Sequence, residues 1–323
     1  MSAFFRFSSL EEASHLPARP LHLAIGMFDG VHLGHRAVID AAIQSARRCD
    51  GLAAVLTFWP HPSELFRPNN PTKLIMSAEL KVELLERAGV DVVIVQRFTP
   101  EFSRIEPESF LSYLRRSLTR LTTVYVGENW RFGRGRRGDI SLLIVEARKL
   151  GLSVVSAPRI NLDGEPISST RIRSYLEAGE IDKANALLGY TYFAEGVVTP
   201  GKGLGRKLQF PTLNLSWKPE LCPRFGVYAV KVSGQGAGSQ HVGYPAVANF
   251  GLRPTVENST EPRLEAHLLG ESCPFQAGDP IRVEWLTFLR PEEKFPGLGA
   301  LTAQIGRDRE AAERLFLEQR EDR

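Results

Sequence analysis

Two histidines three residues apart carry the densest chemistry in the chain, in Gly26-Met27-Phe28-Asp29-Gly30-Val31-His32-Leu33-Gly34-His35. They follow an apolar run at 21–26 and precede a helical pattern at 35–48, with Val38, Ala41, Ala42 and Ile43 at helical spacing. Gly26 and Gly34 let the backbone approach a ligand closely, and a helix start presents free N–H groups to an anion. Two imidazoles there can donate hydrogen bonds to phosphate oxygens. Either histidine alone reads as a satisfied side chain in a turn; the whole constellation points to phosphate. A second stretch, Ile167-Ser168-Ser169-Thr170-Arg171-Ile172-Arg173, offers hydroxyls, amides and a guanidinium at another helix start. Alone it is an ordinary Ser/Thr cap with surface arginines. Beside the first it becomes a second wall of one polyphosphate site.

The second half holds a different loop, Gly201-Lys202-Gly203-Leu204-Gly205-Arg206-Lys207-Leu208-Gln209-Phe210-Pro211-Thr212-Leu213-Asn214. Glycines alternating with cations can cover phosphates, but the Gly-Lys-Ser/Thr of a Walker loop is missing. Thr212 and Asn214, two apart, share one face if the segment is a strand. A hydroxyl and an amide oxygen together suit a hard cation such as Mg²⁺. Read by itself, this stretch is more often a plain hairpin.

Positioning these groups requires two kinds of domain. Strand patterns at 21–26, 52–58, 90–95, 122–126 and 152–156 alternate with helical ones at 35–48, 77–88, 107–118 and 139–151. Ser77 and Asp139 are the expected N-caps, Pro107 suits a first turn, and Gly89 a stop. Such alternation predicts a parallel sheet with helices on both faces and a ligand at the carboxyl ends of the strands. A loop is expected at 59–71. Helices at 169–178 and 181–188 close this domain, residues 1–188. Beyond it the pattern turns to short alternating strands, 227–232, 264–268 and 281–285, ended by a helix at 298–319. That spacing predicts a small barrel or sandwich over 189–323.

Composition bounds the reading. At 323 residues, 43% hydrophobic and 24% charged, the chain is an ordinary globular protein of two domains. The net charge is +3, and residues 191–323 carry 16 basic and 16 acidic side chains, so the excess lies in residues 1–190. That excludes a general nucleic-acid binder and fits small anionic ligands. The long uncharged stretch at 233–252 is rich in Gly, Gln and Ser, so no transmembrane helix is expected. Arg6, Glu11 and Glu12 interrupt any signal core, and Cys49, Cys222 and Cys273 have neither disulfide nor metal spacing. Three buried thiols in a cytoplasmic protein are the expectation. Oligomeric state is not legible.

The residues at 26–35 and 167–173 resemble the nucleotidyltransferase superfamily with the His-x-Gly-His signature. With Pro60-His61-Pro62 and the run from Gly127-Glu128-Asn129-Trp130 to Arg137-Gly138-Asp139, the set is similar to the adenylyltransferase module of prokaryotic FAD synthetases. Trp130 stands where that family has Phe. The resemblance implies attack of the FMN phosphate on the α-phosphorus of ATP, giving FAD and pyrophosphate, with no protein nucleophile. It implies that His32 and His35 stabilise the transition state, and that Gly26, Phe28, Asp29, Gly34, His61, Asn129, Ser168, Ser169, Thr170 and Arg171 bind ATP or FMN. Each oriented donor of this kind lowers a barrier by roughly 3–4 kcal/mol.

The second half resembles the riboflavin kinase domain. Its marks are the 201–214 stretch, Ala248-Asn249-Phe250-Gly251-Leu252-Arg253-Pro254-Thr255, Leu264-Glu265-Ala266-His267-Leu268, Arg290-Pro291-Glu292-Glu293-Lys294-Phe295 and Gln304-Ile305-Gly306-Arg307-Asp308. The resemblance implies a six-stranded barrel and transfer of the ATP γ-phosphate to the ribityl 5′-hydroxyl of riboflavin. Glu265 would be the base, Thr212 and Asn214 would bind Mg²⁺ and phosphate oxygens, and Gly201, Lys202, Gly203, Gly205, Arg206 and Arg290 would line the ATP and flavin site. Together the halves resemble the bifunctional riboflavin kinase/FMN adenylyltransferase family over about residues 15–315. Three departures fall in the kinase half: Gln209 for a glycine, Pro200 for a histidine, and the Cys273-Pro274-Phe275-Gln276-Ala277-Gly278 stretch. Two rival readings are an adenylyltransferase with a degenerate flavin-binding second domain, and a non-catalytic flavin-sensing protein.

Overall fold

The computed structural model describes residues 4–200, 212–234, 243–252, 262–270 and 273–321. The chain packs as two compact units, Met1–Ser169 and Thr170–Arg323.

In the first unit six strands form one parallel sheet: β1 (Phe5–Phe7), β2 (Leu21–Ile25), β3 (Leu52–Trp59), β4 (Val92–Arg97), β5 (Leu121–Gly127) and β6 (Ser153–Ala157). Their order is β1-β4-β3-β2-β5-β6. The helices are α1 (Leu33–Arg48), α2 (Pro62–Phe66), α3 (Ala78–Arg87), α4 (Pro100–Ser103), α5 (Pro107–Ser117) and α6 (Ile140–Lys149). Every residue of β2 is buried, His22 included, as a strand covered on both faces requires. Ser77 and Asp139 cap α3 and α6 through their side chains, accepting from Leu80 N and Leu142 N at 3.2 and 3.0 Å. Two features depart from the sequence expectation. The sheet has a sixth strand, β1, whose three residues on the edge, an exposed Arg6 between half-buried Phe5 and Phe7, are too few to show a period. The 59–71 loop contains α2, N-capped by the His61 side chain.

The strand order reverses at β2, which lies between β3 and β5. Such a switch point leaves a crevice outside the carboxyl ends of the two flanked strands, here the segments after Ile25 and after Gly127. A small hairpin, β7 (Asn161–Leu162) with β8 (Glu165–Pro166), follows the sheet.

At the other end of the sheet, Asp91 is 3% exposed and accepts from Ala53 N at 2.8 Å while pairing with both amino groups of Arg47, at 2.7 and 3.0 Å. It ties α1, β3 and β4 together. Asp91→Ala leaves the Ala53 amide buried without that acceptor. The expected loss is about 3 kcal/mol, read as a lower urea midpoint for the first unit.

The second unit holds α7 (Ser169–Ala178, which begins at the last residue of the first unit) and α8 (Ile181–Leu188). Six antiparallel strands follow: β9 (Phe193–Thr199), β10 (Leu213–Ser216), β11 (Gly226–Gly234), β12 (Tyr244–Leu252), β13 (Pro262–Leu268) and β14 (Pro280–Arg290). They close into a barrel in the order β10-β13-β12-β11-β14-β9. Tyr228, Phe250 and Trp285 fill its interior, with the Tyr228 and Trp285 rings edge to face at 4.5 Å. Asn185 of α8 locks onto the barrel, donating to Trp285 O at 2.9 Å and accepting from Tyr192 N at 2.7 Å. The terminal helix α9 (Leu298–Glu321) packs Ala312 and Phe316 against Ala229 and Leu269.

The cysteines correct one expectation. All three are free thiols, but Cys49 and Cys273 are exposed and Cys222 is half-buried. Cys49 sits just past the last turn of α1, where its thiol donates back to Ser45 O at 3.4 Å instead of entering a core. Among the described residues no helix is long and apolar enough to cross a membrane.

Candidate functional site

The turn after β2 is built around close approaches. Gly26 N donates to Leu56 O at 3.1 Å, which holds the turn to β3. Phe28, Gly30 and Val31 all have positive φ, at 50°, 87° and 37°. The Phe28 ring folds back over Gly26, where a Cβ would lie 2.9 Å from it. Any side chain at Gly26 would therefore displace the ring. Asp29 is buried, and its carboxylate accepts from Ile75 N at 3.0 and 3.2 Å. The Asp29 carbonyl accepts from Ser169 Oγ at 2.8 Å, which joins the two candidate phosphate segments.

Helix α1 begins two residues earlier than its periodicity suggests, because His32 is its N-cap. Nδ1 of His32 accepts from His35 N at 3.2 Å, which leaves Nε2 as the proton-bearing nitrogen of a neutral ring. The His32 and His35 rings stack at 3.6 Å and 15°, and Phe28 stands edge-on to His35 at 5.3 Å. Gly34 makes this possible: a Cβ there would lie 3.2 Å from the His32 ring and 3.5 Å from Ile167 O. So Gly26, Phe28, Asp29, His32, Gly34, His35 and Ser169 converge. Ser168 precedes α7, and Thr170 and Arg171 open the second unit, where Arg171 Nε donates to Tyr175 OH at 3.1 Å.

His61 and Asn129 are placed separately. His61 Nδ1 lies 2.7 Å from Ser63 Oγ and 3.1 Å from Ser63 N, as the cap of α2. Asn129 follows β5 on the switch-point side, with its amide oxygen turned to accept from Arg159. Arg159 also reaches Glu128 Oε1 at 3.5 Å. The arginine–glycine segment is folded: Trp130 and Phe132 stack at 4.7 Å, Arg134 and Arg137 both pair with Glu106, and Gly133 rests on Pro107.

In the barrel unit, register brings the kinase candidates together. Asn214 on β10 lies directly opposite Glu265 on β13, and Glu265 directly opposite Asn249 on β12. Directly opposed residues project to the same face. Their neighbours Leu213, Leu215, Leu264, Ala266, Ala248 and Phe250 are buried, so the polar row faces away from the barrel core. Thr212 is exposed immediately before β10. Asn249 Nδ2 donates to Glu292 Oε1 at 3.3 Å, and the Glu292 carboxylate occupies the space a Gly251 side chain would fill. Arg290 is committed to α9: its guanidinium grips Asp308 at 2.8 and 2.7 Å, and Gln304 adds a bond to the same carboxylate at 2.8 Å. Asp308 raises the Arg290 pKa further above its ordinary value. Gly201, Lys202, Gly203, Gly205, Arg206 and Gln209 lie outside the described residues.

Four residues near these sites receive no role in the sequence reading: Arg159, Asn249, Glu292 and Lys81. Asn249 and Glu292 stand inside recognised stretches and needed only the strand register. For Arg159 and Lys81 no local signal exists.

A loop with stacked imidazoles at the switch point of one sheet, and a row of carboxylate and amides on a closed barrel, define a two-domain transferase of the nucleotidyltransferase and flavokinase classes. The FAD synthetase family model matches residues 16–171 and the riboflavin kinase family model residues 188–316. A relative from Escherichia coli (strain K12), described as bifunctional riboflavin kinase/FMN adenylyltransferase, is 35% identical over 95% of this chain and 96% of its own. One from Bacillus subtilis (strain 168), described in the same words, is 34% identical over 91% and 92%. The chain belongs to the bifunctional riboflavin kinase/FMN adenylyltransferase family. A crystal structure described as a macrolide-efflux protein from Streptococcus pneumoniae shares the fold, with a TM-score of 0.82 over 96% of this chain and 98% of that one at 24% identity.

Proposed function

We infer that this chain converts riboflavin to FMN and FMN to FAD, consuming one ATP in each step. The observation that carries this is the presence of both constellations in one chain, the stacked histidine pair in the unit matched by FAD synthetase and the Asn214–Glu265 row in the unit matched by riboflavin kinase. We take 1–188 as the adenylyltransferase domain and 189–323 as the kinase domain; the two family matches end at 171 and begin at 188.

In the kinase step Glu265 accepts the proton of the ribityl 5′-hydroxyl as that oxygen attacks the γ-phosphorus and ADP leaves. Asn214 and Thr212 contribute neutral oxygens beside that carboxylate, a donor set suited to a hard cation. They would hold Mg²⁺, which supplies charge neutralisation to the ATP phosphates. Lys202 and Arg206 would add charge, and Gly201, Gly203 and Gly205 would complete the ATP and flavin site, while Arg290 anchors α9 through Asp308.

In the second step a phosphate oxygen of FMN attacks the α-phosphorus of a second ATP and pyrophosphate leaves. His32, through Nε2–H, and His35 donate to the phosphate oxygens as charge builds on them. Ser168, Ser169, Thr170 and Arg171 hold the polyphosphate, and Gly26 and Gly34 allow the approach. Phe28 and Asp29 shape the turn, and His61 and Asn129 contact nucleotide or flavin. We read both steps as cytoplasmic, a reading the free thiols support.

The test is a time course with purified protein, ATP, Mg²⁺ and riboflavin, with a parallel run from FMN, separating the three flavins by chromatography. FMN should rise and give way to FAD. FAD from FMN alone would leave an adenylyltransferase and make Gln209 the first suspect. Bound flavin with no turnover in either run would establish the binding protein instead.

A further inference from the structure

Lys81 is buried where packing alone has no use for a cation. It is 4% exposed on α3, and its buried neighbours on that helix, Ala78, Val82 and Leu85, are apolar. Its Nζ donates to Met27 O at 3.1 Å and to Thr57 Oγ1 at 3.0 Å, and Thr57 Oγ1 itself donates to Met27 O at 3.0 Å. Met27 lies between Gly26 and Phe28, so this triangle grips the turn that leads to His32. Among the described residues Lys81 makes no ion pair; both groups bonded to it are neutral. Burying an unpaired ammonium is costly, and a leucine or methionine would fill the same space without that cost.

We propose that Lys81 is a positioning residue of the adenylyl-transfer step: its buried ammonium fixes the Met27 carbonyl, and with it the Gly26–His32 turn, and places a cation behind a loop that receives a polyphosphate. The inference rests on the adenylyl-transfer reading of that loop. It explains why the charge is retained. In the protein alone the ammonium feels the buried Asp29 carboxylate without an ion pair to it, and a bound triphosphate would add counter-charge. Burial depresses its pKa to about 8, and Asp29 partly opposes that shift. The groups facing Nζ are Met27 O from the turn and Thr57 from β3, both neutral, and Asp29 is the charged group that acts on it. In the free protein the cation is therefore present below about pH 8 and lost as pH rises through it.

The experiment compares wild type with Lys81→Met, using the full chain with Mg²⁺, and follows FAD from FMN and, in the same preparation, FMN from riboflavin. At about pH 7, kcat/KM for ATP in FAD formation should fall about 100-fold, with KM for FMN within about threefold and riboflavin phosphorylation unchanged. The decline of wild-type kcat/KM above about pH 8 should vanish in the variant. FAD formation within about threefold of wild type, with the alkaline decline intact, would overturn the proposal. If Lys81→Met loses both activities through misfolding, Thr57→Val decides. It keeps the lysine but removes one acceptor, so FAD formation should drop about tenfold and its alkaline decline should move to lower pH. An unchanged rate and profile in Thr57→Val would also overturn the proposal. A wild type that makes no FAD from FMN sinks the functional reading and this inference together. An active wild type with an indifferent Lys81→Met sinks this inference alone.

Discussion

Replacing His32 and His35 together with alanine is expected to lower FAD formation from FMN by about 10⁴-fold or more, while FMN formation from riboflavin stays at the wild-type rate. Each ring is an oriented donor at the switch point, and losing one such donor costs about 10²- to 10³-fold. The two are stacked at 3.6 Å, and each single variant should fall about 10²- to 10³-fold, short of the pair. The kinase candidates lie on strands of the other compact unit, so they keep their register. His32 also caps α1, and losing the cap costs about 1 kcal/mol, too little to unfold a sheet-built unit. His32→Asn separates the two roles, because asparagine is a good cap and carries no imidazole. It should restore stability and leave FAD formation low. Activity returning with the cap would show that His32 is structural. Loss of FMN formation in the double variant would show that the two modules are not separable.

Glu265→Gln should produce the opposite pattern. Riboflavin phosphorylation is expected to fall about 10²- to 10⁴-fold, the usual contribution of a positioned base, with FAD formation from supplied FMN unchanged. Glutamine preserves the length and hydrogen-bonding reach of the side chain between Asn214 and Asn249, so the row should survive. What it removes is the ability to take a proton. KM for riboflavin should hold while kcat drops, since the group acts on the reacting hydroxyl in the transition state. A full kcat in Glu265→Gln would move the base elsewhere, and Glu292, bonded to the neighbouring Asn249, would be the next carboxylate to replace.

The parts of this protein written in local pattern were readable without coordinates. Mostly apolar segments announced β2, β3 and β4 as strands, with 52–58 read as buried, and Ser77, Pro107 and Asp139 marked helix starts that the structure places there. The glycines and histidines of 26–35 announced a tight turn leading into a helix because spacing and residue type act within one turn of chain. Family resemblance added the barrel, whose short strands carry too little period to define closure alone. The edge strand β1 was not legible, since three residues are too few for a period, and α2 was hidden by a loop rich in Pro and Asn.

What the tertiary structure decided is how residues distant in sequence share space. Arg290 reads as a ligand-binding cation in its own stretch, yet α9 brings Asp308 to it and the pair is nearly buried, with side chains 16% and 7% exposed. Lys81 carries no local signal, and it becomes a buried cation only because β3 and the turn after β2 close over it. Asn249 and Glu265 become neighbours only through the register of β12 on β13, and Arg159 meets Asn129 only through the order of the sheet. Helix caps, turns and strand periods depend on residues within a few positions, so the sequence by itself determined them. Burial, pairing and charge environment depend on which distant elements pack together, and only the folded chain decides that.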